Sequence, residues 1–275
     1  MRKARVLFVS QEIMPYLPES EMSSIGRNLP QGIQEKGKEI RTFMPRFGTI
    51  NERRHQLHEV IRLSGMNLII DDSDHPLIIK VASIQPARMQ VYFIDNEEYF
   101  QRKAVLTDKE GTFFEDNDER SIFFCRGVLE TVKKLGWAPD IIHCHGWMTA
   151  VLPLYLKRSY KDDPMFSESK VIYSMYDKGF DGTLNSNFAN KVIHEGISEN
   201  DVDLIRTPDL NNLHRLGASM SDAFIQGSEN IDPELQKFVE GLNKPNLGYH
   251  NPETYIDAYS SFYDEVLEEN SILVD

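Results

Sequence analysis

The stretch Asp140-Ile-Ile-His-Cys-His-Gly-Trp-Met-Thr-Ala-Val-Leu-Pro-Leu-Tyr-Leu156 decides the fold. Asp140 to Cys144 is a short apolar run, the mark of a buried strand, and Ala150 to Leu156 is the apolar opening of a helix. His145-Gly146-Trp147 lies between them. An open α/β sheet binds its ligands in the crevice beyond the carboxyl ends of its strands. This turn is therefore the expected wall of a site.

The same texture extends in both directions. Arg5 to Ser10 is a continuous apolar run, as in a strand buried on both faces. Gln11 to Glu21 has two prolines and no pattern, which predicts a loop. Ser23-Ser24 is the expected cap of a helix reaching Lys36, with Ile25, Leu29 and Ile33 on one face and Gly37 after its end. Glu39 to Met44 is the next strand. Leu57–Leu63, Met66–Ile70, Leu77–Ser83 and Met89–Ile94 are short β-like runs, a meander inserted beside the sheet with Val91–Ile94 returning to it. Asn96 to Gln101 makes a helical turn, and Thr107 to Asp118 is an acidic loop. Glu119 to Leu135 is a helix closed by Gly136. After the central stretch come a charged loop (Ser159–Ser169), a strand (Lys170–Ser174), a loop-rich region (Tyr176–Gly196) and a helix (Pro208–Leu216). A strand (Ala223–Ile225) and a helix (Pro233–Val239) follow. Strands alternating with helices predict an α/β class: a single Rossmann-like domain with a mostly parallel sheet, a small β-meander insertion and a C-terminal helix. Residues 1–245 are the expected domain. Residues 246–275 are read as a linker, turn-rich over Asn243–Pro252, and a helix over Thr254–Glu268 that packs back on the domain.

The chain has 275 residues, 40% hydrophobic and 27% charged, with 30 Lys plus Arg against 43 Asp plus Glu. A formal net charge of −13 argues against nucleic acid or an anionic membrane as partner. No run approaches the roughly 18 apolar residues of a membrane span. The N-terminus enters a strand directly, with too short an apolar run for a signal peptide. Cys125 and Cys144 are too few for a disulfide framework and read as buried thiols. A cytoplasmic protein is expected.

Candidate chemistry is sparse. His143 and His145 are two apart on a strand and share a face. Zinc takes four ligands, and no CxxC or HExxH supplies the rest. No metal is expected; one inward-facing and one capping histidine is the expected arrangement. No GxGxxG, GxxxxGK[ST] or GxSxG is present. The loop after the first strand carries three acids and neither glycine nor lysine, so it repels a pyrophosphate. His194-Glu195 and Asp71-Asp72 read as solvated surface. Trp137 reads as core. Trp147 reads first as core, with a position at the sheet edge from which an aromatic ring can also stack on a sugar.

Four stretches resemble the N-terminal half of bacterial glycogen synthases and plant starch synthases, retaining ADP-glucose glycosyltransferases of GT-B fold. Val6-Leu-Phe-Val-Ser-Gln-Glu-Ile-Met-Pro15 is similar to the family's opening strand and E-x-x-P. Leu29-Pro30, Gly37 and Met44-Pro-Arg-Phe-Gly48 resemble its helix, strand and P-R-Y-G. Val91-Tyr-Phe-Ile-Asp-Asn-Glu-Glu-Tyr-Phe100 resembles V-Y-F-I-D-N-P-E-Y-F. Trp137-Ala-Pro-Asp-Ile-Ile-His-Cys-His-Gly-Trp-Met-Thr-Ala150 resembles W-x-P-D-I-I-H-x-H-D-W-x-T-A.

The departures fall on the functional positions. Where the family's first loop has K-T-G-G-L, to hold sugar nucleotide and acceptor, this chain has Pro18, Glu19, Ser20, Glu21 and Met22. The aspartate of H-D-W is Gly146. The histidine of T-I-H-N is Tyr176. The resemblance also implies a C-terminal donor-binding domain of roughly 180–250 further residues, which this sequence is expected to lack. The expected function is a non-catalytic relative, a carbohydrate-binding or scaffolding module with no catalytic residue and no cofactor. Substrate contacts are expected at His145, Trp147 and Tyr176. An α-glucan or a nucleotide-sugar is the expected partner, with a homodimer or partner chain over the crevice. The alternative is a glucosyltransferase subunit, moving glucose from ADP-glucose to an α-1,4-glucan together with a partner chain.

Overall fold

The computed structural model describes residues 2–268. Its centre is a ten-stranded sheet. The strands are β1 (Arg5–Ser10), β2 (Glu39–Pro45), β3 (His58–Glu59), β4 (Met66–Ile70), β5 (Ser73–Ile84), β6 (Met89–Asp95), β7 (Ile141–His145), β8 (Lys170–Met175), β9 (Ala223–Gln226) and β10 (Asn246–Leu247). The order across the sheet is β10-β9-β8-β7-β1-β2-β6-β5-β3, with β4 paired to β5. Every pair from β10 to β6 is parallel, and β5, β3 and β4 add antiparallel pairs at one edge. The strand order reverses about β1, which has β2 on one side and β7 on the other, so the switch-point crevice opens at the ends of β1 and β7.

The helices are α1 (Glu21–Glu35), α2 (Glu52–His55), α3 (Glu97–Phe100), α4 (Asn117–Leu135), α5 (Leu152–Lys157), α6 (Phe188–Val192), α7 (Leu210–Met220), α8 (Pro233–Glu240) and α9 (Tyr255–Glu268). The period-two alternation of the strands builds two cores. Leu7, Val9, Ile142, Cys144, Tyr173 and Met175 face the larger one, under α4, α5 and α7. Val6, Phe8, Ile141, Ile172 and Ile225 face the other, which α1 and α9 cover with Ile25, Leu29, Ile33, Tyr259, Phe262 and Tyr263. The α/β class, the parallel sheet and the β insertion are as the pattern predicts.

Local differences have local causes. Helix α1 begins two residues earlier than its expected serine cap. Ser20 is the cap, its hydroxyl accepting from Ser23 N while Ser23 Oγ accepts from Ser20 N, a reciprocal capping box. The expected strand Leu57–Leu63 shrinks to two residues, whereas β5 runs for twelve through Pro76, a proline at a position paired only with β4. Asp71 and Asp72, both with positive φ, form the β4–β5 turn in open solvent. The helix expected from Ala150 starts at Leu152, after a 3-10 turn over Trp147–Thr149. Within the expected linker, β10 joins the sheet beside β9.

Candidate crevice at the ends of β1, β7 and β8

Register sets the site. Ser10, His145 and Ser174 stand side by side on β1, β7 and β8, each at or one residue before its strand's carboxyl end. The chain leaves β7 through Gly146, whose φ of +87° and ψ of 167° lie outside the regions open to residues with a Cβ. A Cβ there would meet Met22 Cε at 2.7 Å and Gln11 Oε1 at 3.1 Å. Gln11 Oε1 in turn accepts from Met148 N at 3.3 Å. The turn is thus shaped around glycine and clamped by α1's first turn. Restoring a carboxylate with Gly146→Asp is expected to destabilise the fold by about 1–3 kcal/mol, read as a lowered urea midpoint. An unchanged midpoint would show that the turn tolerates a side chain.

His143 and His145 lie on the same face, ring centroids 3.8 Å apart. The expected inward-and-capping split is corrected: both are buried among hydroxyls. Nδ1 of His143 is 2.5 Å from Tyr263 Oη on α9, and Nε2 is 2.7 Å from Ser174 Oγ. Nδ1 of His145 is 2.8 Å from Tyr176 Oη. Among the described residues no third His, Cys, Asp or Glu completes a metal-binding group. Burial pushes the His145 imidazole down to about 3, and burial with the neighbouring His145 holds His143 well below its usual value. Burial likewise raises the Tyr176 phenol. The pair is therefore neutral at pH 7 and not poised for proton transfer.

The three expected contact residues are all buried and separate by what they face. Trp147 belongs to the larger core, edge-on to Phe180 at 4.8 Å and tilted to Phe113 at 6.3 Å. Tyr176 is the member that walls open space. It faces a cavity of about 100 Å³ with Gln11, Glu12, Glu21, Asp177 and Lys178. Its ring lies against Gly227, where a Cβ would come within 2.8 Å of it, and its carbonyl accepts from His214 Nε2 at 3.0 Å. The ring is fixed in place across the crevice floor.

The cavity is acidic. Ser20 Oγ donates to Glu12 at 2.6 Å, and Ser228 Oγ lies 2.5 Å from Glu21 and 3.2 Å from Asp177, so one hydroxyl serves two carboxylates. Among the described residues, Lys178 is the one cation on its wall. The acids of the first loop were readable in sequence; Asp177 and Ser228 were not, because only folding brings β8 and β9 to α1.

The family model for the starch synthase catalytic domain matches residues 5–245. Among known proteins, a glycogen synthase of Chlorobium limicola is 38% identical over 222 residues, which are 80% of this chain and 45% of the relative. A glycogen synthase of Chlorobium luteolum is 38% identical over 72% of this chain and 40% of its own length. The chain thus spans less than half of these relatives. Among solved structures, the catalytic domain of starch synthase IV from Arabidopsis thaliana, bound to ADP and acarbose, superposes with a TM-score of 0.74 at 18% identity. The match covers 91% of this chain and 52% of that one, and it shows the shared GT-B fold. No helix among the described residues is long and apolar enough to cross a membrane.

Proposed function

Because the chain belongs to the starch synthase catalytic-domain family, we propose that it keeps the fold as a carbohydrate-binding or scaffolding module and does not transfer glucose on its own. Residues 1–245 are the module, and 246–275 its linker and returning helix, of which 269–275 lie outside the described residues. One observation carries this reading: Glu12, Glu21 and Asp177 converge on a crevice cavity of about 100 Å³ closed by Tyr176. Transfer from a nucleotide-sugar needs positive charge on the departing diphosphate. Three carboxylates against Lys178 oppose that anion. Uncharged sugar hydroxyls suffer no such repulsion. Of the three expected contact residues, Tyr176 is the one placed to meet a ligand; His145 orients it, and Trp147 holds the turn.

The purified chain is expected to incorporate no glucose from ADP-glucose into glycogen above a protein-free control. Robust turnover would overturn the reading. The second reading, a subunit that works with a partner chain, draws support from the match to 45% of a glycogen synthase. It predicts turnover that appears only when a separately expressed C-terminal half of such a synthase is added.

A further inference from the structure

A larger cavity, about 460 Å³, shares Ser20 and Glu21 with the crevice and runs along α1 to the segment before α9. One wall is helical, with Glu21, Ser24 and Asn28; the other is Tyr249, His250 and Tyr255. The second wall is held in place. Asn251 accepts from Glu253 N at 3.0 Å through its side chain and from Tyr255 N at 3.1 Å through its carbonyl. Tyr255 is buried and edge-on to Tyr259 at 5.8 Å. Tyr249 is half-buried and keeps part of its surface free.

We propose that this cavity binds an uncharged sugar, one or two hexose units of an oligosaccharide. Its lining contains neither lysine nor arginine, and two of its residues, Glu19 and Glu21, are acids. Phosphate and nucleotide are excluded on that ground. What remains is a set of carboxylate, hydroxyl, amide and imidazole groups, which donate to and accept from vicinal hydroxyls. Tyrosine side chains lie beside them, and an aromatic face suits the C–H side of a pyranose. The volume lies within the roughly 300–1,000 Å³ range of small-ligand sites. Tyr249, His250 and Tyr255 lie beyond the 245 residues that the family model matches, so this site is built by the chain's own C-terminal segment. The proposal rests on the carbohydrate-binding part of the reading above and assigns it a place.

The test is calorimetric titration of the full chain with maltotriose, repeated for Tyr249→Ala and for Ser24→Phe, which fills the cavity from α1. The wild type is expected to bind one equivalent, and each variant to weaken binding roughly tenfold or more, the loss of one stacked ring. Tyr249→Phe, which keeps the ring, is expected to stay within about threefold of wild type. Thermal melts matched to wild type confirm that the variants are folded. Wild-type binding left unchanged by both Tyr249→Ala and Ser24→Phe overturns the assignment to this cavity and leaves the carbohydrate-binding reading standing. Absence of any maltotriose binding overturns both. Tyr249-dependent binding of spermidine without maltotriose overturns the sugar class in favour of a cation.

Discussion

A chain ended at Pro252, lacking α9, is expected not to fold to a cooperative monomer. Helix α9 buries Tyr255, Tyr259, Phe262, Tyr263 and Val266 against α1 and the sheet. Without it, Phe8, Ile141, Ile172 and Ile225 lose their cover on that face. His143 loses the Tyr263 hydroxyl at the same time. Each fully buried side chain of this size stabilises by roughly 1.5–3 kcal/mol. Exposing a handful removes as much as the whole margin of a typical domain, about 5–15 kcal/mol. The shortened chain is expected to aggregate or to bind hydrophobic dye with no sharp melt. A soluble monomer melting within a few degrees of the full chain would falsify this, and would show that α9 is an ornament on an autonomous unit.

Acid is expected to unfold the protein well above the range where carboxylates ordinarily titrate. His143, His145 and His214 are buried with hydroxyl and carbonyl partners and no carboxylate among those hydrogen bonds. Burial holds His143 well below the ordinary value and brings His145 to about 3 and His214 to about 4. The unfolded chain takes up protons near pH 6.5 while the folded chain does not. Their stabilising contribution is therefore complete above about pH 6.5 and declines as pH falls from there toward the folded values. At pH 5 His145 and His214 have each forfeited about 2 kcal/mol, and His143 adds to the loss in the same sense. Asp95 and Asp118, whose carboxyls burial pushes up against their Lys and Arg neighbours, act in the opposite sense. Melting temperature by circular dichroism is expected to drop steeply between pH 7 and 5. A flat profile over that interval would refute the account.

Much of this architecture could be read in the chain, because strand alternation and helix periodicity are local. Arg5–Ser10, Glu39–Met44 and Lys170–Ser174 each became a strand within a residue of expectation. Ser20 was overlooked as a cap since its reciprocal partner is another serine, not the Glu or Gln of the usual box. The short helix Phe188–Val192 and the 3-10 segment Glu199–Ile205 were lost in a stretch rich in Gly, Asn and Asp. In the site, His145 and Tyr176 were singled out separately; their hydrogen bond spans 31 residues and has no sequence period. The same limit hid the pairing of His143 with Tyr263, 120 residues apart. Helix periodicity speaks for the ring of Tyr263 and is silent about its hydroxyl.

Gly146 and Met22 do not weigh equally on this turn. The methionine side chain occupies the space that a side chain at position 146 would need. Cε is the free end of a flexible side chain and can swing aside, whereas the φ of +87° at position 146 belongs to the main chain. A carboxylate at this turn is therefore opposed more by the backbone than by its neighbour, and trimming Met22 alone leaves the strain in place.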